Sequence, residues 1–568
     1  MSVSDKDILS AIEHSGRVVK GVGGSQAIGK EMECSFVLNC IPERTFSHAI
    51  KPSIIPGEPS LVLLGTDFLS KFNLTVFDWE NNKVLIGDTW VYYSTAEAGT
   101  SPHLDISTQL TNEQFVLVKD TIEKYADSIF VHNPKAPKRS SLGTHTISLE
   151  SKLPHKDKVR RLPQKWREAV DKQVNEMLQN DIIRESSSPF SSNPVMVTKK
   201  NDTKRFCVDF RSLNTNTIKD TYPLPNVDEL LDQFKGCNYF SQLDLASGYW
   251  GIPMHPEDIE KTAFVAPRGK YEFIVMPYGL ANAQATFQRG MDNLVKDLHE
   301  EGHKDVEAYV DNLVVYSTSF EQHLATLERL LHYVDHYNLS LRPDKCEFAK
   351  PEIEFIGFLV NWEIIRPTHA HVSKVLNFPK PTTRKKLQSF LGIANFNRRF
   401  IKGYSKIAQP LTKLTSSKKK FEWEVEQDGA FEQIKNCISK APSLRLADWS
   451  KEFHIETDAS DIAVGAVLFQ LGESGEQFPL AYHSKTLTDT ERRWSATDKE
   501  MFGIISAARK WSPYCSGSVV FHTDHQPLKF MRKQKDPRGK MARWLVEMEN
   551  FDYRIEYIPG KTTSRQIT

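Results

Sequence analysis

Residues 306–317 read VEAYVDNLVVYS, two apolar and largely β-branched runs on either side of the polar pair Asp311-Asn312. Such residues fit a pleated, half-buried surface, so the pattern predicts a β-hairpin with a carboxylate at its tip. Asn tolerates positive φ, which places the turn on the Asp-Asn pair; an ordinary surface turn would satisfy the same pattern. A second stretch, YFSQLDLASGYWGIPM at 239–254, sets Asp244 at the end of another alternating strand, 67 residues upstream. Two acids on adjacent strand ends suit Mg²⁺, which takes hard oxygen ligands and is usually held by one or two carboxylates plus substrate phosphates. A pair of such ions would stabilise both the attacking and the leaving oxygen of an in-line displacement at phosphorus.

The wording around these acids is more specific than their spacing. From about Leu162 to Leu414 the chain reads, in order, SSPFSSNPVMVTKK, RFCVDFRSLN, YPLPNVDELL, FSQLDLASGYW, KTAF, VMPYGLANAQATFQ, YVDNLVVYS, LRPDKCEF, FIGFLV and LQSFLGIANFNRRFI. This series resembles the reverse transcriptase of gypsy-type LTR retrotransposons. The resemblance implies a right-hand polymerase of fingers, palm and thumb, with Asp244 and Asp311 as catalytic metal ligands. It implies that Arg205 and Lys199 or Lys200 hold the triphosphate of an incoming deoxynucleotide. It places Tyr249 against a ribose 2′-hydroxyl, Tyr278 and Gly279 in the nucleotide pocket, Lys345 near the pyrophosphate and Phe355–Val360 in a primer-grip hairpin. Two departures stand out: Asn312 where the family has a second Asp, and Gln284 where proline is common.

Beyond Ala447, FHIETDASDIAVGAVLFQ reads as a strand entering a hairpin, a helix is expected over about Ser495–Trp511, and VVFHTDHQPL gives a further strand. Asp458, Glu500 and Asp524 fall on strand, helix and strand and could converge on a two-metal site for phosphodiester hydrolysis. Glu500 has a competing account, since Thr497-x-x-Glu500 matches a capping box. TDAS, ATDKEMFGI and HTDHQPL together resemble a retroelement ribonuclease H domain, which implies the catalytic reading. The family's fourth acid, in an Ala-Asp-Ala-Leu-Ser-Arg stretch, has no counterpart in PGKTTSRQIT.

The N-terminal region is rich in short β-type runs, and VKGVGGSQ with LVLLGTDFLSKF resembles the flap and closing half of a retropepsin-type protease. Asp-Ser/Thr-Gly occurs nowhere in the chain, so this segment is expected not to cleave peptides, and Asp67 reads as a structural acid near a helix start. The expected organisation is multidomain α+β. A partial retropepsin-like segment spans 1–95 and a linker 96–150; fingers and palm span 151–366, thumb and connection 367–446, and a mixed α/β ribonuclease H-like domain 447–568.

Net charge is +1, yet Lys380–Lys420 carries twelve Lys/Arg and no Asp or Glu, a stretch suited to a template-primer backbone or to a solvated face. Seven cysteines without a Cys-x-x-Cys pair argue against a disulfide framework and a structural zinc site. No signal peptide or membrane-length apolar run is present, and a cytoplasmic location or a virus-like particle is expected. The function expected is RNA-directed DNA polymerase with ribonuclease H, using Mg²⁺ or Mn²⁺, deoxynucleoside triphosphates and an RNA or DNA template-primer. The alternative is a decayed or co-opted remnant that binds nucleic acid. Either is a piece of a longer polyprotein or a shortened copy.

Overall fold

The computed structural model describes residues 104–130, 138–198, 204–417, 420–528 and 539–559, together with five short strands between Ser53 and Tyr92. The chain divides into two compact units, 1–102 and 103–568. In the first, Ser53–Ile54 pairs with Val62–Leu63, and Phe77–Asp78, Lys83–Ile86 and Thr89–Tyr92 form an antiparallel meander. Asp67 lies outside the described residues.

The second unit is built on a five-stranded sheet ordered Val306–Tyr309, Asn312–Ser317, Tyr239–Asp244, Glu347–Lys350 and Asp105–Ile106. Period-2 alternation along LVVYS divides its faces. Leu313 and Val315 pack on the helices Ala283–Glu300 and Phe320–His336, whereas Val314 and Tyr316 pack with Phe355, Phe358 and Val360. Each fully buried large side chain contributes roughly 1.5–3 kcal/mol. Within Ala283–Glu300, Gly290 is required by a crossing chain: a Cβ there would lie 2.9 Å from Leu142 Cβ and 3.2 Å from the Leu142 carbonyl.

Strands Glu352–Phe355, Phe358–Asn361, Ile364–Pro367 and Leu444–Arg445 form a second sheet, matching the hairpin expected at 355–360. Helices Arg384–Phe396, Tyr404–Lys413 and Val425–Ser439 enclose a separate core around Phe390, Phe431 and Ile434. The C-terminal sheet runs Gln477–Thr486, Ala463–Leu471, Phe453–Ala459, Val519–Thr523 and Tyr553–Tyr557, with the first three antiparallel and the last two joined in parallel. Helix Ala496–Lys510 covers one face through Met501, Ile504 and Ile505, and Val467, Phe469 and Tyr482 on the other join the core around Phe355 and Phe358.

Part of the segment expected to be linker is core. Helix Asn112–Glu123 buries Val118 and Ile122 completely and packs on Phe320–His336, and Thr111 caps it with a reciprocal capping box. Its apolar spacing is short and its composition mixed, so its one local signal is the Thr111-x-x-Gln114 capping box. No described helix is long and apolar enough to cross a membrane.

Candidate active sites

Asp244 ends its strand and is paired in register with Asn312, the first residue of the returning strand. Tyr309 pairs with Asn312, so Val310 and Asp311 form the two-residue tip. The turn therefore differs from the expected one: positive φ falls on Val310, at +54°, and Asn312 is already extended in the ladder. A β-branched residue rarely enters the left-handed region, and such strain persists only where surrounding structure over-determines it. The Val310 N–H donates to Gln288 Oε1 at 2.8 Å, and the Asp311 carbonyl accepts from the Leu245 N–H at 3.2 Å. The turn is thus tied both to a helix and to the residue after Asp244.

Asp244 is half-buried, and burial raises its pKa above the ordinary carboxylate value against the opposing ammonium of Lys345. Lys345 Nζ lies 3.1 Å from Asp244 Oδ2 and 3.4 Å from Oδ1. It neutralises the carboxylate that the sequence assigns to metal, from the place where a group near a departing pyrophosphate was expected. Asp311 is exposed at the tip. Asn312 Oδ1 accepts from Gln242 Nε2 at 3.3 Å, two residues along the strand from Asp244.

Tyr249 follows a turn in which Ser247 is left-handed, at φ +49°, and Gly248 must lack a side chain because a Cβ would come within 2.7 Å of the Phe287 ring. That fit lays Tyr249 between Tyr278 and Phe287, with ring centroids 5.2 and 5.4 Å away. Burial raises the Tyr249 pKa, and the Asp311 charge raises it further. Gly279, at φ +97°, supplies the carbonyl that accepts from Asn214 Nδ2. Arg205 stands opposite Val197 in the hairpin Asn193–Thr198 and Lys204–Asp209, but its side chain lies outside the described ones, as do Lys199, Lys200 and the turn itself.

In the C-terminal domain Asp458 and Asp524 are exposed at the ends of neighbouring parallel strands, and Glu500 is 9% exposed on the covering helix. Glu500 Oε1 accepts from the Ala459 N–H at 3.2 Å, while Oε2 is buried with no hydrogen-bond partner among the described residues. Burial pushes the Glu500 pKa up to about 8, with the charges of Asp524 and Asp458 adding to it. The capping account fails: Ser495 is the N-cap and accepts from the Asp498 N–H at 3.1 Å. Glu456 is a fourth carboxylate that the sequence did not single out. It lies two residues before Asp458 on one strand face, and its raised pKa, due first to burial, registers Asp458 and Asp524. No group of three His, Cys, Asp or Glu side chains is drawn tightly enough to hold an ion among the described residues. The orphaned oxygen of Glu500 is nevertheless the kind of acceptor that a cation would satisfy.

Residues 197–360 match the model described as reverse transcriptase (RNA-dependent DNA polymerase), and residues 448–551 match the RNase H-like domain found in reverse transcriptase. This chain carries a reverse transcriptase domain and a ribonuclease H-like domain. It is 36% identical to the retrovirus-related Pol polyprotein from transposon 297 of Drosophila melanogaster, over 80% of this chain and 43% of the relative. Against the transposon Tf2-7 polyprotein of Schizosaccharomyces pombe it is 35% identical over 70% of this chain and 30% of the relative. The chain therefore spans less than half the length of these relatives. In fold it is similar to a foamy viral protease-reverse transcriptase dRH solved in complex with double-stranded DNA, with TM-score 0.69, 21% identity and 79% of each chain covered. Domains of these two kinds generally use divalent metals.

The basic stretch lies between the two matched domains, and several of its described cations are engaged within the protein. Lys380 pairs with Asp428, Arg399 with Asp228, and Arg384 and Arg398 donate to the carbonyls of Leu414 and Ser484. Lys385, Lys386, Lys402, Lys406 and Lys413 remain exposed.

Proposed function

We propose that the chain is an RNA-directed DNA polymerase with an attached ribonuclease H, acting on a primed RNA or DNA template with deoxynucleoside triphosphates and Mg²⁺, or Mn²⁺ in its place. The observation that carries this reading is the placement of Asp311 on a strained, doubly anchored tip beside the strand end that bears Asp244. The exposed carboxylate of Asp311 beside that of Asp244, from which a cation would displace Lys345, fits a metal that completes its shell with water and substrate phosphates. Bound there, the metal would lower the pKa of the attacking hydroxyl and take up charge on the leaving group. Asp244 and Asp311 hold it, Tyr249 walls the sugar, and Lys345 is released from Asp244 to face the pyrophosphate. In the second domain Asp458, Glu500 and Asp524 hold the ions for RNA-strand hydrolysis, with Glu456 beside them. The exposed lysines of 380–420 grip the backbone without regard to sequence.

The test is primer extension on an RNA template with Mg²⁺ and four deoxynucleotides, alongside cleavage of an RNA–DNA hybrid. Extension and cleavage that both vanish with EDTA support the reading; a chain that binds the hybrid and does neither in Mg²⁺ or Mn²⁺ overturns it.

Substitution at Tyr249 separates the sugar wall from ordinary packing. Tyr249→Ala is expected to relax discrimination between deoxy- and ribonucleotides on the order of 10- to 100-fold, the scale of one steric contact. Single-nucleotide incorporation with dCTP against CTP measures it, and an unchanged ratio with intact extension would remove Tyr249 from the pocket.

A further inference from the structure

Gln288 has no part in the reading of the sequence, yet it makes two hydrogen bonds to the arm that leads into the hairpin tip. It sits on the helix Ala283–Glu300 within the stripe Phe287, Met291, Leu294 and is completely buried. Its Oε1 accepts from the Val310 N–H at 2.8 Å, and its Nε2 donates to the Ala308 carbonyl at 3.1 Å. The remaining Nε2 proton goes to Asp292 Oδ1 at 2.7 Å, one helical turn further on. A carboxylate only accepts, so Asp292 fixes which end of the Gln288 amide faces which backbone group. The other oxygen of Asp292 accepts from the hydroxyl of Tyr222, whose ring lies under the Arg289 guanidinium. Every polar atom of the Gln288 side chain is therefore engaged, in one orientation.

We propose that Gln288 is a positioning residue for polymerisation, holding Val310 in its left-handed conformation so that Asp311 stands beside the strand end that bears Asp244. The inference rests on the polymerase reading of that carboxylate pair. A two-residue turn with a β-branched residue at φ +54° relaxes unless something over-determines it. Gln288 supplies that constraint from the helix, pairing the acceptor of Ala308 and the donor of Val310 on the arm that leads into the tip. Without it the Val310 N–H and the Ala308 carbonyl lose these partners, and the tip gains freedom to carry Asp311 out of place. Supports behind metal ligands typically tune activity or affinity by 10- to 100-fold, through geometry rather than direct contact. Gln288→Glu keeps an acceptor for Val310 but sets a carboxylate against the Ala308 carbonyl and Asp292, so it separates clamp from size.

The experiment pairs hydrogen exchange of the peptide spanning 306–317 with steady-state primer extension, on the full chain and on Gln288→Ala, Gln288→Glu and Asp292→Ala. Faster exchange confined to that peptide is expected in the two Gln288 variants, with kcat lowered about 10- to 100-fold. KM for deoxynucleotide should stay unchanged, and the Mg²⁺ concentration for half-maximal extension should rise. A role in packing alone would not move the Mg²⁺ dependence. Asp292→Ala should shift the same readouts by less, and it stands in if Gln288→Ala fails to fold. Unchanged exchange at 306–317, or lowered kcat with an unmoved Mg²⁺ dependence, overturns the proposal. If the tip loosens but the unsubstituted chain never extends a primer, the polymerase reading fails while the clamp stands.

Discussion

Replacing Asp311 with Ala is expected to lower primer extension on the order of 10³-fold, the effect of removing a fixed charge-stabilising group at a reacting phosphate. Asp311 is exposed on a two-residue tip, makes no side-chain hydrogen bond or ion pair among the described residues, and sits next to the strand end that bears Asp244. Thermal stability should therefore be unchanged, which separates loss of chemistry from loss of structure. Asn312→Asp should move activity the other way. The amide of Asn312 accepts from Gln242 through Oδ1, and an isosteric carboxylate keeps that bond while adding a charge on the strand residue paired with Asp244. The Mg²⁺ concentration for half-maximal extension should fall about tenfold, as one more charge a few Å from a divalent ion implies. Extension titrated with Mg²⁺ for the three proteins decides both points. Activity that survives in Asp311→Ala removes the residue from the site, and extension seen only in Asn312→Asp identifies the amide as disabling.

Much of this site was legible because its carriers are periodic. Alternation placed Asp244 at a strand end and Asp311 at a hairpin tip, and both positions hold in the structure. The turn itself was misplaced by one residue, since Asn's tolerance of positive φ outweighs Val's in any local rule, whereas Gln288 reverses that order from another element. Gln288 had no local signal beyond a polar residue on an apolar helical stripe. Lys345 was singled out by its surroundings in sequence, but its pairing with Asp244 spans 101 residues and only the fold shows it. The basic run 380–420 was legible as charge and not as function, because carbonyls and carboxylates of the protein take several of its cations. Helix Asn112–Glu123 was missed for the opposite reason: it has a cap and two buried residues, too little periodicity to stand out without its partner helix.

Glu500 offers the sharpest contrast between local and tertiary readings, and Glu500→Gln is expected to abolish hybrid cleavage while making the domain more stable. Local sequence suggested a capping box, in which loss of the carboxylate would cost about 1 kcal/mol of helix stability. Ser495 holds that position instead, and Glu500 faces Ala459, Asp458 and Asp524 with one oxygen unpartnered. Its folded pKa, pushed up to about 8 by burial and then by the two aspartates, lies above the usual value of 4.5. The folded state thus binds this proton more tightly than the unfolded state. Stability from this group is complete below about pH 4.5 and is lost as pH rises toward 8, by no more than about 5 kcal/mol at 1.4 kcal/mol per unit. Gln cannot ionise, so the variant should lack this decline and melt higher than the unsubstituted chain at pH 8 without metal. Mg²⁺ should raise the melting temperature of the unsubstituted chain at that pH and leave Glu500→Gln nearly unmoved, because a cation offsets the charge that burial penalises. Melting curves at pH 5 and pH 8, with and without Mg²⁺, read this out beside the cleavage assay. A Gln variant that melts lower at pH 8 and still cuts the hybrid would return Glu500 to a structural role.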